Sequence, residues 1–191
     1  MRNILLLFVC ILFAGEVCSQ VTFTKVTTGA IVNDASYTEG VYWFDYNNDG
    51  LLDMFAANIT NQNNILFRND GSGNFTKITA GALVNDGGFS YGASIGDYNN
   101  DGFPDIFVVN GGSSASQNNF FYSNNGDGTF TKVTTGTFVN EIGNSWGSSS
   151  VDYDKDGKLD IYTANYNRNN FLYKGNGDGS FTKITAGAIV N

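Results

Sequence analysis

The chain has 191 residues, with 18 acidic and 10 basic side chains, two cysteines and no histidine. Its formal net charge of −8 argues against nucleic acid or an anionic membrane as a partner, since both attract a basic surface. The lack of histidine excludes Ser–His and Cys–His catalysis, and two cysteines without histidine are too few for the usual zinc sites.

The N-terminal segment has the layout of a secretory signal peptide. A short basic start precedes an apolar run over 4–14, and small and polar residues follow. We expect residues 1–19 to be cleaved before Gln20, so that the protein is secreted or held at the cell surface without membrane insertion. A lipid anchor at Cys18 and a retained N-terminal anchor are the alternatives. Cys10 and Cys18 both lie in this segment, so the mature chain has no disulfide or catalytic thiol.

Beyond the signal peptide, the sequence is an internal repeat over 20–191. Phe-Thr-Lys, followed by Val or Ile and then Thr, starts at Phe23, Phe75, Phe130 and Phe181. Periods of about 40 to 50 residues with several short strands are typical of propeller blades. The predicted blades cover about 34–79, 86–134 and 141–185, with an extra strand at 21–27.

Each repeat has the pattern of four short strands separated by Asn, Asp and Gly. In the first repeat the predicted strands are Gly40–Phe44, Asp53–Ala57, Asn64–Arg68 and Phe75–Thr79. The Gly-rich segments between the third and fourth strands are typical of hairpin turns. The Asn pairs at 63–64, 118–119 and 169–170 are interpreted as turn residues. No segment shows the 3.6-residue apolar period that is typical of a helix longer than a few residues.

The predicted fold class is therefore all-β, a β-propeller-type repeat with about three four-stranded blades. Closed propellers usually have four to eight blades, so we expect an open, partial propeller. Further blades of the same, longer protein would complete it. Closure by oligomerisation is the alternative.

One acidic nonapeptide, D-x-[DN]-x-D-G-x-x-D, lies between the first and second strands of each repeat, at 45–53, 97–105 and 152–160. Side-chain oxygens at positions 1, 3, 5 and 9 and the backbone carbonyl of position 7 can surround one cation if the loop curls. The predicted metal ligands are Asp45, Asn47, Asp49, Leu51, Asp53, Asp97, Asn99, Asp101, Phe103, Asp105, Asp152, Asp154, Asp156, Lys158 and Asp160.

The side-chain ligands are all oxygens, which favours a hard cation, and the flexible, ligand-rich loops favour Ca²⁺ over Mg²⁺. We expect about three Ca²⁺ sites, one in each loop. Solvated Asx turns are the alternative interpretation. The acid at position 12 of EF-hand and dockerin loops is replaced here by Ala56, Val108 and Thr163. Because Asp154 adds a fourth carboxylate, the third loop is predicted to bind most tightly.

The loops, their strand flanks and the repeat period resemble the FG-GAP-like (VCBS) repeats, and are similar to the calcium-bearing blades of integrin α-chain propellers. The motif that gives this family its name is degenerate here, and Gly92-Ala93-Ser94 comes nearest to it. The resemblance implies that each loop joins the first two strands of a blade and binds calcium as a structural site.

These features favour a secreted calcium-binding module that acts as an adhesion or ligand-binding scaffold for an extracellular protein or glycan. A lectin-like propeller is one alternative, with Trp43, Tyr91, Trp146 and Tyr166 as candidates for stacking on sugars. The non-catalytic part of a secreted polysaccharide-degrading enzyme is the other.

We do not expect enzymatic activity from the chain itself. A catalytic acid or base would be present in one blade only. Glu39 and Glu141 are the two glutamates that meet this condition by sequence. Neither has a partner carboxylate in the sequence pattern that would define a catalytic pair.

Overall fold

The computed structural model describes residues 22–112 and 117–187. The predicted signal peptide at 1–19, with Cys10 and Cys18, lies outside the described residues. Over the described residues the chain forms three antiparallel sheets of four strands each. This architecture confirms the predicted all-β, blade-like repeat.

Each sheet is a meander in which strands that follow one another in sequence are hydrogen-bonded neighbours. The first sheet contains β1 (Thr38–Phe44), β2 (Asp53–Asn58), β3 (Ile65–Gly71) and β4 (Asn74–Ile78). The second contains β5 (Ser90–Gly96), β6 (Asp105–Asn110), β7 (Phe120–Asn124) and β8 (Phe130–Val133). The third contains β9 (Ser145–Val151), β10 (Asp160–Asn165), β11 (Phe171–Gly175) and β12 (Phe181–Ile184). The four strands predicted for the first repeat overlap β1 to β4.

The turns between the third and fourth strands are hairpins, as predicted. β3 pairs with β4 up to Gly71 opposite Asn74, and Gly71 has a φ of 83° that an L side chain rarely adopts. In the second sheet, the N–H of Asn125 donates to the carbonyl of Thr129 at 3.0 Å and closes the equivalent turn. Glycine and asparagine therefore have the turn role that their positions predict.

The paired asparagines between the second and third strands are turn residues, also as predicted. The Asn64 Oδ1 accepts the N–H of Asn58 at 2.9 Å, and the Asn58 Nδ2 donates to the carbonyl of Asn63 at 2.7 Å. The same two bonds recur at Asn110 with Asn118 and Asn119, and at Asn165 with Asn169 and Asn170. These amides are occupied in holding the turns.

Short helical turns precede the first strand of each sheet, and the sequence pattern did not predict them. They cover Ala30–Val32, Ala82–Val84 and Thr137–Asn140. Phe138 and Val139 of the last turn are buried. A segment of three or four residues is too short to show a 3.6-residue apolar period, which explains the omission.

A recurring ion pair joins the segment that enters each sheet to the last strand of that sheet. The pairs are Asp34–Lys77 at 2.5 Å, Asp86–Lys132 at 2.8 Å, and Glu141–Lys183. Glu141 is therefore the third member of a repeated structural pair. The prediction that it is unique to one blade was wrong, since the equivalent acids in the other blades are aspartates.

The hydrophobic core lies between successive sheets. Between the first and second sheets, buried residues include Phe55, Leu66, Ile106 and Val108. Between the second and third sheets they include Phe107, Phe121, Ile161 and Tyr173. The second sheet is thus covered on both faces, as expected for a blade in the middle of a propeller.

The burial of the tyrosine at position 2 of each acidic loop depends on whether the next sheet packs against it. Tyr46 is 3% exposed and its ring lies 6.1 Å from that of Phe130 in the second sheet. Tyr98 is 2% exposed and its ring lies 5.5 Å from that of Phe181 in the third sheet. Tyr153 has no following sheet among the described residues and is 44% exposed.

Large exposed apolar side chains are concentrated in the outer sheets. Val41 and Trp43 of β1 and Val151 of β9 are each at least half exposed. No comparably exposed apolar residue falls in the second sheet. Over the described residues, the first and third sheets do not pack extensively against each other. The array is therefore open, as predicted.

The extra strand expected at 21–27 does not form over the described residues 22–27. Phe23 in this segment is 95% exposed. In each sheet the equivalent Phe-Thr-Lys strand pairs with the third strand of that sheet, whereas no described strand pairs with residues 22–27. No helix in the described ranges is both long and apolar enough to cross a bilayer.

We predict that Tyr98→Ala and Tyr153→Ala differ strongly in their effect on stability. Tyr98→Ala should lower the free energy of unfolding by about 3 to 5 kcal/mol, because it leaves a cavity between two sheets. Tyr153→Ala should cost about 1 kcal/mol or less, because the side chain is half exposed. Urea unfolding of both variants in calcium-free buffer would measure this, and equal losses would contradict the interpretation of the blade interfaces.

Candidate metal centre

The three acidic loops lie at the same end of their sheets, where the first strand leads into the second. The loop at 45–53 connects β1 to β2, and the loops at 97–105 and 152–160 connect β5 to β6 and β9 to β10. The hairpins between third and fourth strands lie at this same end, because neighbouring strands run antiparallel. Each loop therefore sits beside the third strand of its own sheet.

The first aspartate of each loop curls the backbone around itself. Asp45 accepts the N–H of Asp49 on Oδ1 at 3.0 Å and that of Gly50 on Oδ2 at 2.7 Å. The equivalent bonds are 3.1 and 2.9 Å at Asp97, and 3.0 and 2.9 Å at Asp152. Positions 1, 5 and 6 are thereby held together in all three loops.

The sharp bend at position 6 needs glycine, as the sequence predicts: Gly50 has a φ of 85°. Position 4 also adopts the left-handed region, at 55° in Asn48, 60° in Asn100 and 62° in Lys155. This conformation at position 4 was not predicted from the sequence. Asparagine there was the available signal, since it tolerates this conformation better than most residues.

The carboxylate at position 5 accepts the backbone N–H of position 7, the residue whose carbonyl is a predicted ligand. The Asp49 Oδ1 accepts the N–H of Leu51 at 2.8 Å. The equivalent bonds are Phe103 to Asp101 at 2.9 Å and Lys158 to Asp156 at 3.0 Å. The backbone of position 7 is therefore anchored at its N–H group by the loop itself.

Position 3 distinguishes the third loop from the other two. In the first loop the Asn47 Nδ2 donates to the Asp49 Oδ2 at 2.9 Å, and Asn99 makes the same bond to Asp101 at 2.8 Å. In the third loop this residue is Asp154, which has no amide hydrogen to offer. Carboxylate oxygens of Asp152, Asp154 and Asp156 lie within 4.8 Å of one another.

The ammonium group of Lys174 lies against this third carboxylate cluster. It is bonded to Asp154 and lies 3.0 Å from the Asp156 Oδ2. These contacts lower the pKa of Asp156 and raise that of Lys174. Lys174 lies in β11, and sequence reasoning missed it because no local pattern connects it with the loop.

The aspartate at position 9 is buried and joins the loop to the sheet. In the second loop, the Asp105 Oδ2 accepts the N–H of Tyr98 at 3.2 Å and its Oδ1 accepts the N–H of Asn124 at 2.8 Å. Asp53 bonds Tyr46 and Asn69 in the same way, and Asp160 bonds Tyr153 and Gly175. All three aspartates are inaccessible to solvent.

In the third loop, the structure brings the carboxylates of positions 1, 3 and 5 together more closely than that of position 9. Asp160 lies outside the group formed by Asp152, Asp154 and Asp156. Burial raises the pKa of Asp53 and raises that of Asp105 to about 6, and backbone N–H donors partly oppose both shifts. A cation bound in the loop would favour the charged form of these carboxyls, since a nearby positive charge lowers a carboxyl pKa.

The loops contain the donor set that Ca²⁺ uses in proteins. Carboxylate, amide and carbonyl oxygens are present at the five expected positions, with no nitrogen or sulfur ligand among them. The loop backbone is already curled by its own hydrogen bonds. Little further ordering would be needed for a cation to bind.

The opposite end of the sheets carries a row of stacked aromatic rings. The Tyr91 and Trp146 rings lie 4.9 Å apart at 17°, and the Trp146 and Tyr166 rings lie 5.2 Å apart at 27°. Trp146 is 46% exposed and Tyr166 is 55% exposed. Trp43 lies apart from this aromatic row and packs edge-on against Phe75.

Comparison with known proteins gives a family for the chain. The FG-GAP-like repeat matches three consecutive segments, 45–108, 97–163 and 152–191, each beginning at the first aspartate of an acidic loop. No curated protein matches the sequence.

Nine chains of known structure match, among them a lectin from Agrocybe aegerita described for its specific recognition of non-reducing terminal N-acetylglucosamine. It is 21% identical with a TM-score of 0.48, and the match covers 74% of this chain and 36% of the lectin chain. The family segments extend over more than half of the sequence and include all three acidic loops. The chain belongs to the FG-GAP-like repeat family.

Proposed function

We propose that this protein is a secreted, calcium-binding propeller module that acts as an extracellular scaffold for adhesion or ligand binding. The observation that carries this proposal is the threefold recurrence of one curled loop with five oxygen donors in register. If the loops were only solvated Asx turns, neither their aspartate-rich, glutamate-free pattern nor the buried carboxylate at position 9 would be required. Export is inferred from the pattern of residues 1–19.

Calcium would stabilise the module by relieving repulsion between carboxylates. In the second loop, Asp97, Asn99, Asp101 and Asp105 would supply side-chain oxygens, and Phe103 would supply its carbonyl. Several carboxylates held a few ångströms apart repel one another and oppose folding unless a cation neutralises them. Because Asp105 also holds the N–H groups of Tyr98 and Asn124, the cation would couple to the sheet through this residue.

We predict that calcium raises the melting temperature of chelator-treated protein and that about three ions bind in calorimetry. Binding to the folded state alone stabilises it by about 2.7 kcal/mol for each site at a free calcium concentration 100 times the Kd. Asp97→Asn should weaken one site at least about tenfold, because it removes a charged ligand. Asp127→Asn, in an exposed hairpin turn, is the matched control. No heat of binding together with an unmoved melting temperature would contradict the proposal.

The ligand face that we propose is the end of the sheets opposite the acidic loops. The aromatic row there favours a carbohydrate ligand, because the apolar face of a sugar ring stacks on exposed aromatic rings in the way that bases stack in other proteins. Tyr91 and Trp146 come from adjacent sheets, so this surface depends on the packing between blades. The same scaffold role would also be met by an extracellular protein ligand.

We predict that Trp146→Ala and Tyr166→Ala each weaken binding to any glycan found on an array by about fivefold or more, since one stacking contact contributes about 1 to 3 kcal/mol. Trp43→Ala is the matched control, because Trp43 is 52% exposed but lies outside the aromatic row. Equal losses in all three variants would place the glycan elsewhere, and unchanged affinity in the first two would refute the aromatic row as the site.

We further propose that the chain has no catalytic activity of its own, even if a longer protein degrades polysaccharides. The repeated carboxylates belong to the acidic loops, and Glu141 is ion-paired with Lys183. Incubation with a panel of polysaccharides should therefore release neither reducing ends nor unsaturated products. Product formation that copurifies with the chain would overturn the proposal, and loss of that product in Glu39→Gln or Glu141→Gln would identify the catalytic residue.

A further inference from the structure

We infer that Lys174 is an internal counter-ion of the third loop, which makes this loop the weakest calcium site and holds its carboxylates together when calcium is absent. The inference rests on the proposed calcium function. It reverses the ranking that the number of carboxylates predicts for the three loops.

Lys174 replaces a contact that the third loop has lost. In the first two loops, an asparagine at position 3 donates an amide hydrogen to the position 5 carboxylate. In the third loop, Asp154 and Asp156 are both carboxylates, and a direct hydrogen bond between their charged forms is impossible. The Lys174 ammonium group contacts both, so it supplies hydrogen bonds to two groups that would otherwise repel each other.

The register of the third strands shows that this lysine is specific to one blade. Lys174 lies opposite Thr182, as Arg68 lies opposite Thr76 and Ser123 opposite Thr131. The Arg68 Nε bonds the Asp70 of its own hairpin at 2.8 Å rather than the acidic loop. Ser123 has no charge. Only the blade with the additional carboxylate therefore has a cation at this position that contacts the loop.

A lysine in this place would act against a bound cation. Its positive charge lies at hydrogen-bonding distance from two of the predicted calcium ligands, so a calcium ion would have to displace it or tolerate its repulsion. Without calcium, the same charge would hold the carboxylates together. Lys174 would then do for the third loop what the asparagine amides do for the first two loops.

The inference is tested with Lys174→Ser, which introduces the residue of the second blade at the equivalent position. The Asp45→Asn and Asp97→Asn changes serve as a common background, because they weaken the first and second loops. Calorimetric titration with CaCl₂ should show that Lys174→Ser tightens the remaining site by about tenfold. Arg68→Ser removes an equivalent charge from the first blade and should leave that affinity unchanged.

A second measurement compares the third loop without calcium and with calcium. In excess chelator, Lys174→Ser in the otherwise unchanged chain should melt at a lower temperature than the parent protein, and calcium should raise its melting temperature by a larger increment. Lys174→Met, which keeps the aliphatic stem, should behave in the same way. This variant shows whether an effect comes from the charge or from lost packing.

The outcomes distinguish this inference from the proposed function. Absence of calcium binding in the unmodified chain would refute the calcium function itself. Calcium binding that Lys174→Ser leaves unchanged or weakens would refute the role of Lys174 alone. An equal gain of affinity in Arg68→Ser would also refute it, because the effect would then reflect net charge rather than contact with the loop.

Discussion

The buried carboxylate at the end of each acidic loop is the interaction on which the rest of the blade depends. Asp53, Asp105 and Asp160 each accept one N–H from the loop and one from the third strand of the sheet. A buried carboxylate is stable only when such donors or a cation offset its lost hydration. The geometry of the loop and the pairing of the sheet are therefore linked, and a cation that affects the one would affect the other.

Charged side chains are paired in the same way in all three blades. Each segment that enters a sheet carries an acid that is paired with the lysine of the fourth strand. The acidic loops differ in that their carboxylates outnumber the cations that contact them, although among the described residues the third loop has one such cation, Lys174. Under the proposed function, the loops that lack such a lysine are those in which calcium has the most to contribute.

Each blade is stabilised by packing against the face of its neighbour as well as by the hydrogen bonds within its own sheet. Tyr46 and Tyr98 are buried because a following sheet covers them, whereas Tyr153 is half exposed. The same residue type at the same loop position thus has different energetic roles in different blades. The aromatic row across the second and third sheets is likewise a product of blade packing, since Tyr91 and Trp146 lie in different sheets.

The repeat could be predicted from the sequence because Phe-Thr-Lys and the acidic nonapeptide recur along the chain. The four strands of each blade, the hairpin turns and the acidic loops could be predicted because they follow from local patterns. The sequence also determined the oxygen character of the loops, since the residue types are fixed. Three features became visible only in the folded chain: the contact of Lys174 with Asp154, the place of Glu141 in a repeated ion pair, and the exposure of Tyr153. Those contacts join residues that are distant in sequence, and strand register and the order of the sheets, rather than any local pattern, bring such residues together.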